Sequence, residues 1–255
     1  MDILDRLHDI LNPKRETFKD GENVIEVSSA GEDKTLKFNG TVYSRFKGNA
    51  IYMNQYWDFF LPLAKLYDNP KILMIGLGGG TIPFQLNKVL NGRFSLDAVE
   101  ISPKMAQIAK EFIPEKTNCQ VIVGDGADYV KGPKGMYDMI ILDAFIDANI
   151  PSQFLNADFV ENASECLKEN GILAINYLPP AGSGQKLDDY AWLLSGKFKV
   201  YKVNISAIAL NIVLVCSKKM NREEILSSMK ARFPVTKDSF HMMREYDQMK
   251  QIPPE

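Results

Sequence analysis

The sequence predicts an α/β fold in which a doubly wound, mostly parallel sheet ends in an antiparallel hairpin and follows a small β-rich unit. Three patterns support this prediction. From residue 71 to residue 177, short apolar runs alternate with helical periodicity, which indicates βαβ units with helices on both faces. A glycine-rich turn follows the first of these runs. Residues 198–219 hold two apolar runs with a short connection, which favours an antiparallel pair at one edge.

The N-terminal part is predicted to be a small β-rich domain over residues 1–50, and residues 51–255 are predicted to form the larger domain. Apolar residues at helical spacing predict a short amphipathic helix at residues 2–11. After this helix, strand-like runs and the turn Asn39-Gly40 predict an antiparallel unit. Its predicted strands are residues 24–28, 35–38 and 41–46.

The larger domain is predicted to begin with an aromatic-rich helix at residues 53–67, bent near Pro62. The alternating part follows. Its predicted strands are 71–75, 95–99, 120–123, 139–142 and 172–177, and its predicted helices are 82–90, 103–112, 127–131 and 157–168. A helix at residues 222–230 is predicted after the antiparallel pair.

The composition is that of an ordinary folded protein and argues against several function classes. The chain has 255 residues, 45% of them apolar, and a formal net charge of −2, so no overall attraction to nucleic acid or an anionic membrane is expected. Cys119, Cys166 and Cys216 lack CxxC spacing, which is typical of reduced thiols. The sequence has no run of 18 apolar residues, and its N-terminus lacks a signal-peptide pattern. We therefore expect a cytoplasmic protein without membrane or nucleic-acid partners.

The segment KILMIGLGGGTIPFQL, residues 71–86, places four glycines within five positions, directly after the first parallel strand. They are Gly76, Gly78, Gly79 and Gly80. Ligands of doubly wound sheets bind at this edge, and glycines allow a ligand to approach the backbone beside a helix N-terminus. A plain strand-to-helix turn needs fewer glycines. The segment does not match the dinucleotide-binding motif, because Thr81 stands where the third glycine of that motif belongs. It does not match a P-loop either, because the lysine of that motif is missing.

Three acidic residues follow the next strands of the predicted sheet. Glu100 ends the second strand about twenty residues after the glycines, where an acid can bind ribose hydroxyls. Asp125, in a Gly-Asp-Gly turn after the third strand, can accept from an adenine amino group. Asp143 follows the fourth strand and lies next to the glycine turn if the strand order reverses there. The four strand ends together predict a nucleoside site.

These segments resemble one known family. ILMIGLGGGT, DAVEISP, VIVGDGADYV and YDMIILDAF are similar to the S-adenosylmethionine-binding domain of the spermidine synthase family, within the Rossmann-like class I methyltransferase fold. The hairpin unit in front and the late segment NIVLVCSKK match the same family. The resemblance implies S-adenosylmethionine or decarboxylated S-adenosylmethionine as the bound nucleoside and a small-molecule amine or metabolite as the acceptor. It also implies a homodimer.

The resemblance further implies roles for individual residues. Glu100 would bind the ribose, Asp125 the adenine, and Asp143 would act as the catalytic residue beside the reacting amine. The cofactor-binding residues are then Gly76, Gly78, Gly79, Gly80, Glu100, Ile101, Asp125 and Gly126. The candidate substrate contacts are Tyr52, Gln55, Asp147 and Tyr177. No metal is expected, because a sulfonium needs no Lewis acid to leave and the two histidines, His8 and His241, are far apart.

The residues leave two reactions open, methyl transfer and aminopropyl transfer, and they favour methyl transfer. Polyamine-forming members of the family carry an aspartate in the glycine turn, and Gly79 stands in its place here. Ile146 replaces a second acid after the fourth strand, and Tyr43 replaces a glutamine of the hairpin unit. These departures favour S-adenosylmethionine as a methyl donor. Aminopropyl transfer to an amine remains the competing interpretation, and a non-catalytic nucleoside-binding module is the third.

Two further segments permit two interpretations each. The aromatic cluster QYWDFF, residues 55–60, either covers the ligand or packs a helix on the sheet. The segment PPAGSG, residues 179–184, is either a lid over the acceptor or a simple loop.

Overall fold

A computed structural model describes residues 12–146, 149–179, 187–205 and 210–252. The predicted helix at residues 2–11, most of the PPAGSG segment and the candidate residue Asp147 lie outside these ranges. No helix in the described part of the chain is long and apolar enough to cross a membrane.

The N-terminal unit is a four-stranded antiparallel meander in the order β1-β2-β3-β4. Its strands are β1 (Lys14–Asp20), β2 (Asn23–Ala30), β3 (Asp33–Phe38) and β4 (Thr41–Phe46). The turn between β3 and β4 has positive φ at both Asn39 (47°) and Gly40 (80°), the conformation for which Asn-Gly is preferred in hairpins. Strand β1 is not predicted by the sequence, because its charged and mostly exposed residues carry no strong alternation.

The main sheet has eight strands in the order β12-β10-β11-β9-β8-β5-β6-β7. They are β5 (Lys71–Ile75), β6 (Ser95–Glu100), β7 (Cys119–Val123), β8 (Tyr137–Leu142), β9 (Leu167–Tyr177), β10 (Lys199–Asn204), β11 (Ile212–Ser217) and β12 (Lys250–Gln251). The first five are parallel, and β11, β10 and β12 extend the sheet by antiparallel pairing. The order reverses between β5 and β8, which is where doubly wound sheets bind ligands.

Helices cover both faces of the main sheet. They are α1 (Phe60–Ala64), α2 (Thr81–Val89), α3 (Pro103–Phe112), α4 (Gly126–Tyr129), α5 (Ala157–Cys166), α6 (Leu187–Ser195), α7 (Arg222–Arg232) and α8 (Phe240–Asp247). One core cluster lies under α1, α2, α7 and α8, and a second lies under α5 and α6. The predicted fold class, with its parallel sheet and antiparallel end, is confirmed.

Four further elements differ from the sequence prediction. The expected helix at residues 53–67 is instead a 3₁₀ turn (Tyr56–Phe59) followed by the single short helix α1. Asn54 has a φ of 55°, which keeps the preceding chain out of a right-handed helix. Helices α6 and α8 and the two-residue strand β12 are not predicted by the sequence.

The N-terminal meander packs directly on the glycine turn and on α3. Ile25, Val27 and Leu36 of the meander form a core cluster with Met105 and Ile108 of α3. The predicted boundary between domains at residue 50 therefore stays a prediction, because the two sheets share apolar contacts.

Candidate active site

The glycine turn after β5 is held in shape from three sides. Gly76 has a φ of 85°, and a Cβ there would lie 2.3 Å from the backbone oxygen of Asp143. A Cβ on Gly79 would lie 2.8 Å from Ser44 of the meander, and one on Gly80 would lie 2.8 Å from Ile113. These close contacts are with protein atoms, so packing and left-handed backbone account for three of the four glycines.

Ser44 connects the meander to this turn by a hydrogen bond. The backbone N–H of Gly79 donates to Ser44 Oγ at 2.7 Å, and Thr81 Oγ1 exchanges hydrogen bonds with the backbone of Arg45. The backbone N–H of Gly79 is therefore already bonded within the protein. Ser44 is not predicted from the sequence, because no pattern along the chain shows which meander residue faces the turn.

Glu100 lies at the end of β6 with its carboxylate directed into the glycine turn. Oε2 accepts from the backbone N–H of Leu77 (2.9 Å) and Gly78 (3.3 Å), and Oε1 accepts from the backbone N–H of Ser102 (3.0 Å). Burial raises the pKa of Glu100, and these backbone donors partly oppose the rise. Glu100 thus stabilises the turn, a role that the sequence does not predict, and the backbone of Ile101 also bonds its carboxylate.

The predicted adenine side of the site lies at the ends of β6 and β7. Asp125 Oδ1 caps α4 by accepting from the backbone N–H of Ala127 at 2.8 Å, and Oδ2 lies 3.4 Å from Gln153 Nε2. Ile101 is 64% exposed and Val123 is 52% exposed, so two apolar side chains face outward beside the acids. A Cβ on Gly126 would lie 2.3 Å from Ile75 Cγ2, so this glycine allows close packing of α4 on β5.

Asp143 lies at the switch point, and its backbone N–H donates to Ile75 O at 2.8 Å. Its Oδ2 accepts from the Tyr56 hydroxyl at 3.2 Å, and its Oδ1 accepts from Asn176 Nδ2 at 2.8 Å. Burial raises the pKa of Asp143 to about 6, against the opposing effect of the two donors. Burial and the neighbouring Asp143 carboxylate raise the pKa of Tyr56, so the tyrosine stays protonated and donates. The result is a carboxylate that changes protonation near neutral pH.

Two of these partners were not assigned by sequence. Tyr56 belongs to the QYWDFF cluster, in which Trp57, Phe59 and Phe60 are buried packing residues while Tyr56 bonds to Asp143. Asn176 is buried on β9, within an apolar run that offered no functional signal. A polar residue inside a buried strand is the one feature that could have identified it.

The structure does not bring all candidate substrate residues to Asp143. Tyr52 lies in a separate cleft with Lys88, Phe233 and Asp238, and burial raises the pKa of its hydroxyl, which bonds to Ser239. Its proposed contact with the acceptor therefore has no support from its position.

The other two candidates differ in position. Tyr177 is 3% exposed, and its ring packs against Tyr190 with 6.4 Å between centroids, so packing accounts for it. Gln55 directly precedes the 3₁₀ turn that carries Tyr56, which leaves it as the candidate substrate contact nearest in sequence to that tyrosine. Its role stays a prediction.

Metal ligands do not cluster within the described ranges, where no three His, Cys, Asp or Glu side chains are grouped to hold an ion. The acids of the site come singly from the ends of β6, β7 and β8. Each is bonded to backbone, hydroxyl or amide donors.

The fold is that of class I methyltransferase-like α/β proteins. Residues 60–178 match the spermine/spermidine synthase domain. A polyamine aminopropyltransferase of Vibrio vulnificus is 39% identical over 124 residues, 46% of this chain and 41% of that protein. A polyamine aminopropyltransferase of Chromobacterium violaceum is 35% identical over 114 residues, 43% of either chain. These matches span less than half the length of the curated relatives.

Solved structures agree on the fold. A probable spermidine synthase from Corynebacterium glutamicum superposes with a TM-score of 0.70 at 20% identity, covering 92% of this chain and 87% of that chain. Human methyltransferase-like protein 13 in complex with SAH superposes with a TM-score of 0.56 at 21% identity, covering 74% of this chain and 90% of that one. The predicted resemblance to the spermidine synthase family is confirmed.

The preference for methyl transfer is wrong. The curated relatives are named for aminopropyl transfer, whereas the methyltransferase likeness is one of fold. The preference rested on Gly79, which stands where polyamine-forming members carry an aspartate. In the structure a glycine at this position has a packing reason, because an added Cβ would meet Ser44 at 2.8 Å and Leu36 at 3.1 Å.

Proposed function

We propose that this chain transfers an aminopropyl group from decarboxylated S-adenosylmethionine to a small amine. In this reaction the amine nitrogen forms a bond to the propyl carbon attached to sulfur. The carbon–sulfur bond breaks, and sulfur keeps the electron pair as methylthioadenosine leaves. The new ammonium group then loses one proton. The names of the relatives and the chemistry of Asp143 support this proposal.

Asp143 carries the proposal most directly. It lies at the switch point with two hydrogen-bond donors, and its pKa of about 6 leaves it mostly ionised at neutral pH. An ionised carboxylate there can orient an amine, stabilise developing positive charge and accept the proton that the amine releases. Orientation of the two reactants can supply about 7–11 kcal/mol of the barrier.

The residues at the strand ends suit an adenosine bearing a sulfonium. The Glu100 carboxylate ends β6 beside the glycine turn, and Asp125 Oδ2, whose contact with Gln153 is long at 3.4 Å, keeps acceptor capacity toward an amino donor. The exposed side chains of Ile101 and Val123 offer apolar surface for a purine ring. When bound, the sulfonium supplies the electrophilic carbon and the leaving group. A homodimer and a cytoplasmic location stay predictions.

The decisive experiment compares two donors with one acceptor. The protein is incubated with putrescine as the test amine and either decarboxylated S-adenosylmethionine or S-adenosylmethionine, and the nucleoside product is identified by chromatography. We expect methylthioadenosine from the decarboxylated donor. Asp143→Asn should lower the rate at least about 100-fold, while binding of methylthioadenosine, measured by calorimetry, persists.

Two results would contradict the proposal. S-adenosylhomocysteine formed from S-adenosylmethionine would mean methyl transfer. Tight nucleoside binding without turnover, across a panel of diamines and monoamines, would leave a binding module without catalysis. Glu161→Gln is the matched control, because it removes an acid from an exposed ion pair with Lys197 and should leave turnover unchanged.

A further inference from the structure

A chain of side-chain amides reaches Asp143 from the antiparallel end of the sheet. Asn176 Nδ2 donates to Asp143 Oδ1 at 2.8 Å, and Asn211 Nδ2 donates to Asn176 Oδ1 at 2.8 Å. Strand β9 lies between β8 and β11, so Asn176 on β9 bridges the end of one neighbour and the start of the other. Asn211 directly precedes β11.

The directions of these hydrogen bonds follow from chemistry. An ionised carboxylate only accepts, so Asn176 must present its amino group to Asp143. Its carbonyl oxygen then faces Asn211, which must present its own amino group in return. A reversed Asn176 amide would place its oxygen against the Asp143 carboxylate. The hydrogen bonds of Asn176 with Asp143 and with Asn211 would both be lost.

We infer that Asn211 is a positioning residue, which fixes the orientation of the Asn176 amide and so keeps a hydrogen-bond donor on the carboxylate of Asp143. Asn176 is 1% exposed, so water cannot replace the partner that Asn211 supplies. Asn211 counts as a positioning residue only if Asp143 is catalytic, as proposed above. The orientation of the two amides does not depend on that proposal.

The surroundings of Asp143 make this donor important. Burial is the largest influence on its carboxyl group, and the donors Asn176 and Tyr56 oppose it. The Tyr56 hydroxyl faces the carboxylate from the 3₁₀ turn, and the Tyr43 hydroxyl lies 3.5 Å from Phe145 O on the meander side. The pKa of Tyr56 is raised, so its hydroxyl stays protonated, and the Asn176 amide supplies the other of the two bonds that favour the ionised form of Asp143.

Two variants of Asn211 test the inference. Asn211→Asp puts an acceptor-only group where the donor stood, so the Asn176 amide must turn its amino group away from Asp143 or face two oxygens. We expect the pKa of Asp143 to rise by about one unit or more. Asn211→Leu removes the donor without adding charge, and we expect a rise of about half a unit.

The readout is the carboxyl ¹³C shift of Asp143, assigned by its loss in Asp143→Asn and followed from pH 4 to 9. Asn204→Asp is the matched control, because Asn204 is exposed and pairs with Ile212 in the same hairpin but lies outside the amide chain. A solvated charge there should move the pKa by less than about 0.3 units. Circular dichroism and thermal melting verify that each variant folds.

Three outcomes are decisive. A higher pKa of Asp143 in both Asn211 variants, with no change of this pKa in Asn204→Asp, supports the inference. An unchanged pKa in Asn211→Leu, or an equal rise in Asn204→Asp and Asn211→Asp, overturns it. The titration needs no substrate, so a protein without aminopropyl transfer that still shows these shifts would refute the proposed function and leave the role of Asn211 intact.

Discussion

Asp143 combines a partly buried position with two hydrogen-bond donors, Tyr56 and Asn176. Burial raises the pKa of its carboxyl group, and the two donors lower it. The balance leaves the pKa at about 6. A carboxyl group with this pKa is mostly ionised at neutral pH and is more basic than an ordinary aspartate. Both properties suit a general base, whose pKa should lie near the operating pH.

The first prediction at the residue scale concerns the pH dependence of the rate. Under the proposed reaction both Asp143 and the acceptor amine must be unprotonated. Below pH 6 the logarithm of kcat/KM should therefore rise with a slope of about two, and above pH 6 with a slope of about one. A pH–rate profile from 5 to 8 measures this. A slope of one throughout would exclude Asp143 as the titrating group.

The second prediction concerns stability. The pKa of Asp143 is raised in the folded protein from 3.8 to about 6, so the native state binds a proton more tightly than the unfolded chain across this window. The contribution of Asp143 to the free energy of unfolding then falls as pH rises from about 4 to about 6. Asp143→Asn should be more stable than the wild type by about 1–2 kcal/mol at pH 8 and nearly equal to it at pH 4. Urea titrations at both values test this, and a variant less stable at pH 8 would contradict it.

Among the elements, the strands of the parallel sheet were well predicted and their supporting contacts were not. Strand β5 and helix α3 have their predicted bounds, because apolar runs and the Ser102-Pro103 cap are local signals. The acids at the strand ends could be foreseen from topology. Ser44 and Asn211 could not, because their importance depends on which distant residue they face.

A prediction at this scale follows from the contact between β4 and the glycine turn. Gly79→Ala should destabilise the protein by about 1–3 kcal/mol, since its Cβ would meet Ser44 at 2.8 Å. Gly124→Ala is the control, because a Cβ there meets nothing within 4 Å. Adding Ser44→Gly to Gly79→Ala should recover part of the loss in a double-mutant cycle measured by thermal unfolding. Strictly additive effects would show that the two residues do not compete for the same space.

For the whole molecule, the meander acts as part of the site's structure. It shares a core cluster with α3, bonds to the glycine turn through Ser44, and bonds to Ser102 through Asp20. Ser102 in turn caps α3 and donates its backbone N–H to Glu100. The predicted nucleoside site is therefore supported from both sheets, and the stability of one sheet depends on the other.

This arrangement predicts that the chain unfolds as one unit. Differential scanning calorimetry should give a single transition, with calorimetric and van't Hoff enthalpies in agreement. Leu36→Ala, in the shared core, should destabilise the whole transition by about 2–4 kcal/mol, because Leu36 is 1% exposed and contacts the cluster that includes Met105. Val24→Ala, at a more exposed position on the same meander, is the control and should shift the transition far less. If Leu36→Ala instead split the transition in two, with nucleoside binding surviving the first step, the meander would fold independently and the predicted boundary near residue 50 would mark a true domain border.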